Sequence, residues 1–226
     1  SLAANAGQLR FTNTPLDTAA LPRITQAQIA QQAKSSGDIT FVVQFAGPVQ
    51  PGDIESLKRA GATIHNYLPD YAYLVTASTG AAEEIGSLPG VAWAGLLPDY
   101  AKLSRGVVNA LAAAGASKAA ATTVNYIVLS VDARAAKELE GRGYRIASAR
   151  DTAMGWYETR VNASLAKAND LASVNAVFRV ESAPDYELHG ERGAQTAAGN
   201  LNVAGTAPTG PGYVDWLASE GLSGGN

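Results

Sequence analysis

The sequence predicts an α+β fold of two tandem modules, each an antiparallel sheet with helices on one face. Two observations predict it. The tripeptide Pro98-Asp99-Tyr100 returns as Pro184-Asp185-Tyr186, 86 residues later. Behind each copy stands the same order: an apolar strand, a short helix ending in Gly, aromatic strands, a second helix and a valine-rich strand. Self-similarity of this kind makes a module of about 65 to 70 residues, used twice, the unit of structure.

Residues 1–23 read as irregular and polar, with Pro15 and Pro22 as breakers. Thr25 and Gln28 then form a capping box, with Ile24 and Ile29 placed for a hydrophobic staple, so a helix runs to about Ser35 and stops at Gly37. Ile39–Phe45 is β-branched and aromatic over a strand's length. Ile54, Leu57 and Ala60 share one face of a short helix that Gly61 closes in the left-handed conformation. Strands follow near Thr63–Tyr67 and Ala72–Thr76, joined through Leu68-Pro69-Asp70. A helix carrying Ala82, Ile85 and Leu88 stops at Pro89-Gly90, and Val91–Gly95 is the last strand.

Val107, Val108, Leu111 and Ala114 predict a linker helix ending at Gly115. The second module begins with Val124–Ser130. Asp132 caps a helix with Ala136 and Leu139 inward, closed by Gly141 or Gly143. Tyr144–Ala147 and Trp156–Val161 are the middle strands, Leu165, Ala168, Leu171 and Val174 a helical stripe, and Ala176–Val180 the final strand. The order βαββαβ in both modules is the ferredoxin-like arrangement. From Gly193 the composition turns to Gly, Ala, Pro, Thr and Asn, a linker or extended arm in which Tyr213–Leu217 makes an amphipathic turn or two. The boundaries are therefore 1–37 for an N-terminal arm and helix, 38–103 and 122–190 for the modules, 104–121 for the linker helix, and 191–226 for a linker toward an absent domain. Ser223-Gly224-Gly225-Asn226 reads as an interruption rather than a finished domain.

Charged residues make up 16% of the chain, against about 25% in typical soluble domains, and suggest an extracellular or periplasmic style of surface. A net charge of −3 gives no electrostatic footprint for nucleic acid, and no basic run suggests a membrane surface. The absence of Cys removes disulfides and thiolate chemistry. No apolar run reaches the roughly 18 residues of a membrane span. The opening Ser1–Gly7 lacks a basic or apolar leader, so a signal peptide is expected to have been removed already.

A search for chemistry finds little. The two histidines, His65 and His189, are far apart and lack further ligands at metal-binding spacing. Glu83-Glu84 and Glu138/Glu140 read as solvated helix faces rather than acid–base pairs. No phosphate loop, nucleophile elbow or Ser/His/Asp constellation is present. Asn162-Ala163-Ser164 matches a glycosylation sequon but reads better as a helix N-cap. The strand aromatics read as packing residues. The expectation is a chain with no catalytic residues, no metal and no cofactor.

Several segments carry a resemblance: Phe41–Phe45 with Ala46-Gly47-Pro48-Val49, the Gly61 turn, Tyr67-Leu68-Pro69-Asp70, Ala72-Tyr73-Leu74-Val75 and Leu88-Pro89-Gly90-Val91. Tyr126–Leu129 and Pro184-Asp185-Tyr186 carry it in the second module. Together they resemble the tandem N-terminal prosequence of secreted bacterial subtilisin-like serine peptidases. Ala198–Asn202, Ala207–Tyr213 and Trp216-Leu217 are similar to the stretch that precedes the catalytic domain there. The resemblance covers about residues 38–226.

The resemblance implies a chaperone and inhibitor of a subtilisin-like catalytic domain, secreted or periplasmic in a bacterium. It implies an open sheet packed on the enzyme and a tail in the substrate groove, formed here by Pro184, Asp185, Tyr186, Glu187, Leu188 and His189. The motifs bearing that family's catalytic Asp, His and Ser are absent. Two other readings stand beside it: a retained, non-inhibitory interaction module, and a pair of small-ligand regulatory domains, the latter by fold analogy.

Overall fold

The computed structural model describes residues 7–10, 15–33, 37–184, 195–196, 199–207 and 213–221. The chain divides into two units, Ser1–Ala183 and Pro184–Asn226. The first is α+β. Its first half holds β1 (Gln8–Arg10), β2 (Pro15–Asp17), α1 (Gln26–Ala33), β3 (Asp38–Phe45), α2 (Pro51–Arg59), β4 (Thr63–Leu68), β5 (Ala72–Ser78), α3 (Thr79–Gly86) and β6 (Val91–Gly95). Its second half holds α4 (Asp99–Lys102), α5 (Arg105–Ala121), β7 (Thr123–Ser130), α6 (Arg134–Gly141), β8 (Ile146–Asp151), β9 (Tyr157–Ser164), a 3₁₀ turn (Leu165–Lys167), α7 (Ala168–Ala172) and β10 (Val177–Ser182). Two four-stranded antiparallel sheets result, in the orders β4-β5-β3-β6 and β8-β9-β7-β10. In each, the first strand in sequence lies inside and the last at an edge.

Local signals set the helix ends. Thr25 N–H donates to Gln28 Oε1 at 3.2 Å and Gln28 N–H to Thr25 Oγ1 at 3.3 Å, the reciprocal pair of a capping box. At the end of α2, Gly61 (φ 87°) donates to Lys58 O and Ala62 to Leu57 O, both at 3.0 Å. After α6 the same pair recurs: Gly143 (φ 87°) donates to Glu140 O at 2.9 Å and Tyr144 to Leu139 O at 3.0 Å. Both are Schellman motifs, in which glycine takes the left-handed residue without a Cβ clash.

Each half has a core of its own between its sheet and helices. Alternate β3 residues Ile39, Phe41, Val43 and Phe45 join Ile29, Leu57, Ala82 and Ile85. Tyr126 and Val128 of β7 join Val161, Val180, Leu139 and Leu171. In both halves a segment and a helix precede the sheet. Ile24 N–H donates to Ala94 O of β6 at 2.7 Å before α1, and Ser104 N–H to Val180 O of β10 at 2.8 Å before α5. The outer edges of β6 and β10 are thus both paired by the chain itself, a common protection of sheet edges.

The halves differ on their second faces. Val42, Leu74 and Trp93, on the helix-free side of the first sheet, belong to the same buried cluster as Leu9, Leu16, Leu97 and the second half's core. Asn175 completes this junction. Its Oδ1 accepts from Thr40 N–H at 2.6 Å and its Nδ2 donates to Thr40 O at 2.8 Å. The β3–β6 pairing ends at Val42–Gly95, so the Asn175 carboxamide fills the next rung of the ladder. Arg134, paired to Asp132 at 2.8 Å, also donates to Asp38 O at 3.3 Å.

Several elements depart from the sequence reading. The stretch expected to be irregular contains the β1–β2 ribbon, with Leu9 and Leu16 buried. What holds it is distant in sequence: Gln44 Nε2 donates to Gln8 O at 2.8 Å, and Arg10 is bidentate on Asp70. That aspartate and Tyr71 both take positive φ (65° and 63°) in the β4–β5 connection. The third strand expected at Tyr144–Ala147 lies at Ile146–Asp151, because Tyr144 is still engaged in the turn after α6. Its partner runs on to Ser164 rather than ending at Val161. Ser164 flanks the 3₁₀ turn without a side-chain cap bond, while Asn162 lies within β9 and donates to Asn125 Oδ1 at 2.6 Å. Helix α5 does break at Gly115 (φ 63°, ψ 168°) but resumes to Ala121.

In the second unit, Asn202 N–H donates to Ala207 O at 2.8 Å and its side chain accepts from Thr206 N–H at 2.8 Å, closing a turn. A helix spans Tyr213–Ser219, where the sequence predicts a turn or two.

Candidate partner-binding face

The register of the second sheet places one row of side chains away from its helices. Ile127, itself buried, and the half-buried Leu129 of β7 alternate with Tyr126 and Val128, which face the helices' side. Opposite them lie Arg160 and Glu158 on β9 and Glu181 and Arg179 on β10, with Ser148 and Arg150 of β8 beyond. Ile127 therefore sits between Arg160 and Glu181, and Leu129 between Glu158 and Arg179. Long charged stems can shield apolar residues in such positions while keeping their heads in water.

The charges form a ladder. Arg160 Nε donates to Glu158 Oε1 at 3.0 Å, and Arg150 Nη2 to the same oxygen at 3.3 Å. Arg179 Nε donates to Glu181 Oε2 at 2.8 Å. The hydrogen bond from Arg160, with Arg150 close by, holds the Glu158 carboxyl below the usual carboxylate range. Glu158 keeps only 12% side-chain exposure, whereas Arg150 keeps 65% and Arg160 43%. Three guanidiniums against two carboxylates make this face locally basic on an acidic chain. At one end the half-buried Trp156 and Phe178 rings stack with centroids 4.5 Å apart at 17°. The arrangement offers half-buried aromatic and aliphatic area and a charged lattice for orientation.

Of the tail residues singled out from sequence, Pro184 is exposed and directly follows Ala183, whose N–H donates to Asn125 O at 2.7 Å. Asp185, Tyr186, Glu187, Leu188 and His189 lie outside the described residues. In the first copy of the motif, Pro98 precedes α4 and Asp99 pairs with Lys102 at 3.5 Å. Among the described residues no three His, Cys, Asp or Glu side chains cluster to hold a metal ion, and no helix is long and apolar enough to cross a membrane.

His65 is half-buried, its Nε2 lying 2.8 Å from Thr76 Oγ1. Burial pushes its pKa below the ordinary value; Asp132 opposes and Arg134 reinforces the shift. The folded chain therefore favours neutral imidazole. Its contribution is fully present above the unfolded pKa near 6.5 and is lost as pH falls through the lower folded value. The thermal midpoint should fall from pH 7.5 to pH 5, with one proton limiting the slope to about 1.4 kcal/mol per pH unit. His65→Gln, which keeps a partner for Thr76, should remove that part of the decline; an unchanged profile would show that other groups govern it.

A family model described as a domain of unknown function (DUF8729) matches residues 5–98, the span from the β1–β2 ribbon through β6. No curated protein and no solved structure matches the chain. The arginine–glutamate ladder escaped the sequence reading because its members are two residues apart on three strands, and only the register aligns them. The available signal was the alternation of Glu158 and Arg160 with Thr159 and Val161, and of Arg179 and Glu181 about Val180.

Proposed function

We propose that this chain is the prosequence of a secreted or periplasmic bacterial subtilisin-like serine peptidase, acting as intramolecular chaperone and autoinhibitor through two ferredoxin-like modules. One observation supports the proposal: the side of the second sheet away from α6 and α7 presents the exposed Ser148 and Arg150 and the half-exposed Arg160, and its edge strand β10 is followed directly by Pro184. The corresponding face of the first sheet is occupied by the ribbon and the second half. In this reading the second module docks on the catalytic domain while the first supports it. The tail adds main-chain hydrogen bonds in the substrate groove by strand addition. An interface near ~1,600 Å² suffices for tight inhibition when well preorganised, and tethering in one precursor supplies an effective concentration on the order of millimolar. The catalytic chemistry belongs to the partner, and this chain acts without cofactor or metal.

The test adds the chain to the matching peptidase and measures both inhibition and the rate of refolding from denaturant. The intact chain should slow the enzyme and speed refolding. Ser148→Trp, at an exposed position of the docking face, should weaken inhibition at least about tenfold while leaving stability within roughly 0.5 kcal/mol. The same change at Glu55, on α2 of the first half, should leave inhibition intact. No effect of the chain on either rate would reject the proposal.

A further inference from the structure

The arginine–glutamate ladder on the second sheet is layered by depth, and its layers differ in sign. Glu158 is sunk beneath two cations: its Oε1 accepts from both Arg160 Nε and Arg150 Nη2. Its side chain is 12% exposed, while those of Arg160 and Arg150 stand above it at 43% and 65%. Arg179 and Glu181, exposed to similar extents, pair with one another and cancel locally. What reaches solvent is therefore positive, on a chain whose net charge is −3. Hydrogen bonding points the same way. Among the described residues each of the three arginines spends a single nitrogen on a glutamate, and the other donors of its guanidinium have no acceptor there. Ser148, opposite Arg160 on the edge strand β8, is small and exposed and leaves the patch open. A surplus of charge and of forked N–H donors matches carboxylates, which guanidiniums bind in pairs of hydrogen bonds. The acidic balance of the whole chain disfavours a dense polyanion such as nucleic acid, so the fitting surface is that of a protein with locally clustered Asp and Glu.

We propose that this face docks an acidic protein surface, whose carboxylates are taken by the guanidiniums of Arg150 and Arg160. The inference rests on the autoinhibitor reading for the identity of the partner alone: it makes the docking surface of the catalytic domain acidic.

Two measurements on the full 226-residue chain test it. In the first, poly-L-glutamate is titrated into the ¹⁵N-labelled chain at low salt. The amides of Ser148, Arg150 and Arg160 should shift saturably, and the shifts should vanish near 1 M NaCl, where the screening length is about 3 Å. In the second, inhibition of the matching peptidase is followed across ionic strength. Arg150→Glu, at the most exposed member of the ladder, should weaken inhibition at least about tenfold and flatten its salt dependence. Arg59→Glu, the same charge change at an exposed position of α2, should do neither. Amides on this face that ignore poly-L-glutamate, or inhibition indifferent to both salt and Arg150→Glu, would overturn the proposal. Self-association that Arg150→Glu abolishes would also overturn it, since a second copy of the chain would then own the face. A peptidase untouched by the wild-type chain would remove the autoinhibitor reading, while the poly-L-glutamate titration would still decide the chemistry of the face.

Discussion

Replacing Gly95 with Ala is expected to destabilise the protein by about 2–3 kcal/mol, the cost of overpacking a well-filled site. The added methyl would lie 2.2 Å from Trp93 Cζ2, 2.8 Å from Cε2 and 2.9 Å from Pro22 O. The indole is buried and Pro22 O is main chain, so neither neighbour yields easily. Backbone strain is not the cause, because Gly95 is not among the positive-φ residues. Two further variants separate the explanations. Gly52→Ala, where nothing lies within 4 Å of the new Cβ, should be neutral or slightly stabilising. Trp93→Leu should largely remove the penalty at residue 95, so the double mutant should lose less than the sum of the single changes. Urea midpoints for the four proteins check this, and strict additivity would refute the steric account.

Asn175→Ala should cost about 2–4 kcal/mol, because both main-chain groups of Thr40 lose their partner in a part-buried setting. Asn175→Asp keeps an acceptor for the Thr40 N–H but loses the donor to Thr40 O, so it should fall between wild type and Ala. Hydrogen exchange gives the specific readout. The Thr40 amide should be protected in the wild type and exchange much faster in Asn175→Ala, while the Val42 amide, in a rung shared with β6, changes less. Equal loss of protection at both positions would mean that the substitution acts globally and that the rung is not its point of action.

What could be read from sequence was what neighbours in sequence decide. The capping box at Thr25 and Gln28 and the closure at Gly61 depend on residues within one turn, and both stand where the pattern places them. The β-branched and aromatic run Ile39–Phe45 likewise identified a strand, and β3 is buried along nearly its whole length. Contacts across many residues were not legible. Leu9 and Leu16 sit in three-residue strands too short to show a period, and Gln44 and Asp70 fix them from far along the chain. Lys102 gave no signal, yet it is buried with Nζ donating to Ala172 O at 2.7 Å and Val174 O at 3.3 Å. Burial lowers its pKa, with Asp99 opposing, and the carbonyls at the end of α7 receive the cation. Of the candidate face, the apolar residues were visible in sequence, but the pairing of its charges is a product of register.

The hydrogen bonds Ile24–Ala94 and Ser104–Val180 set the segment before each half's sheet beside that sheet's last strand. A body whose two ends meet on one edge can be copied in series without rethreading any strand. Duplication of such a body yields a tandem chain at once, and each copy is then free to specialise. Here the first half turns the second side of its sheet inward as mortar, and the second half keeps the matching side partly exposed.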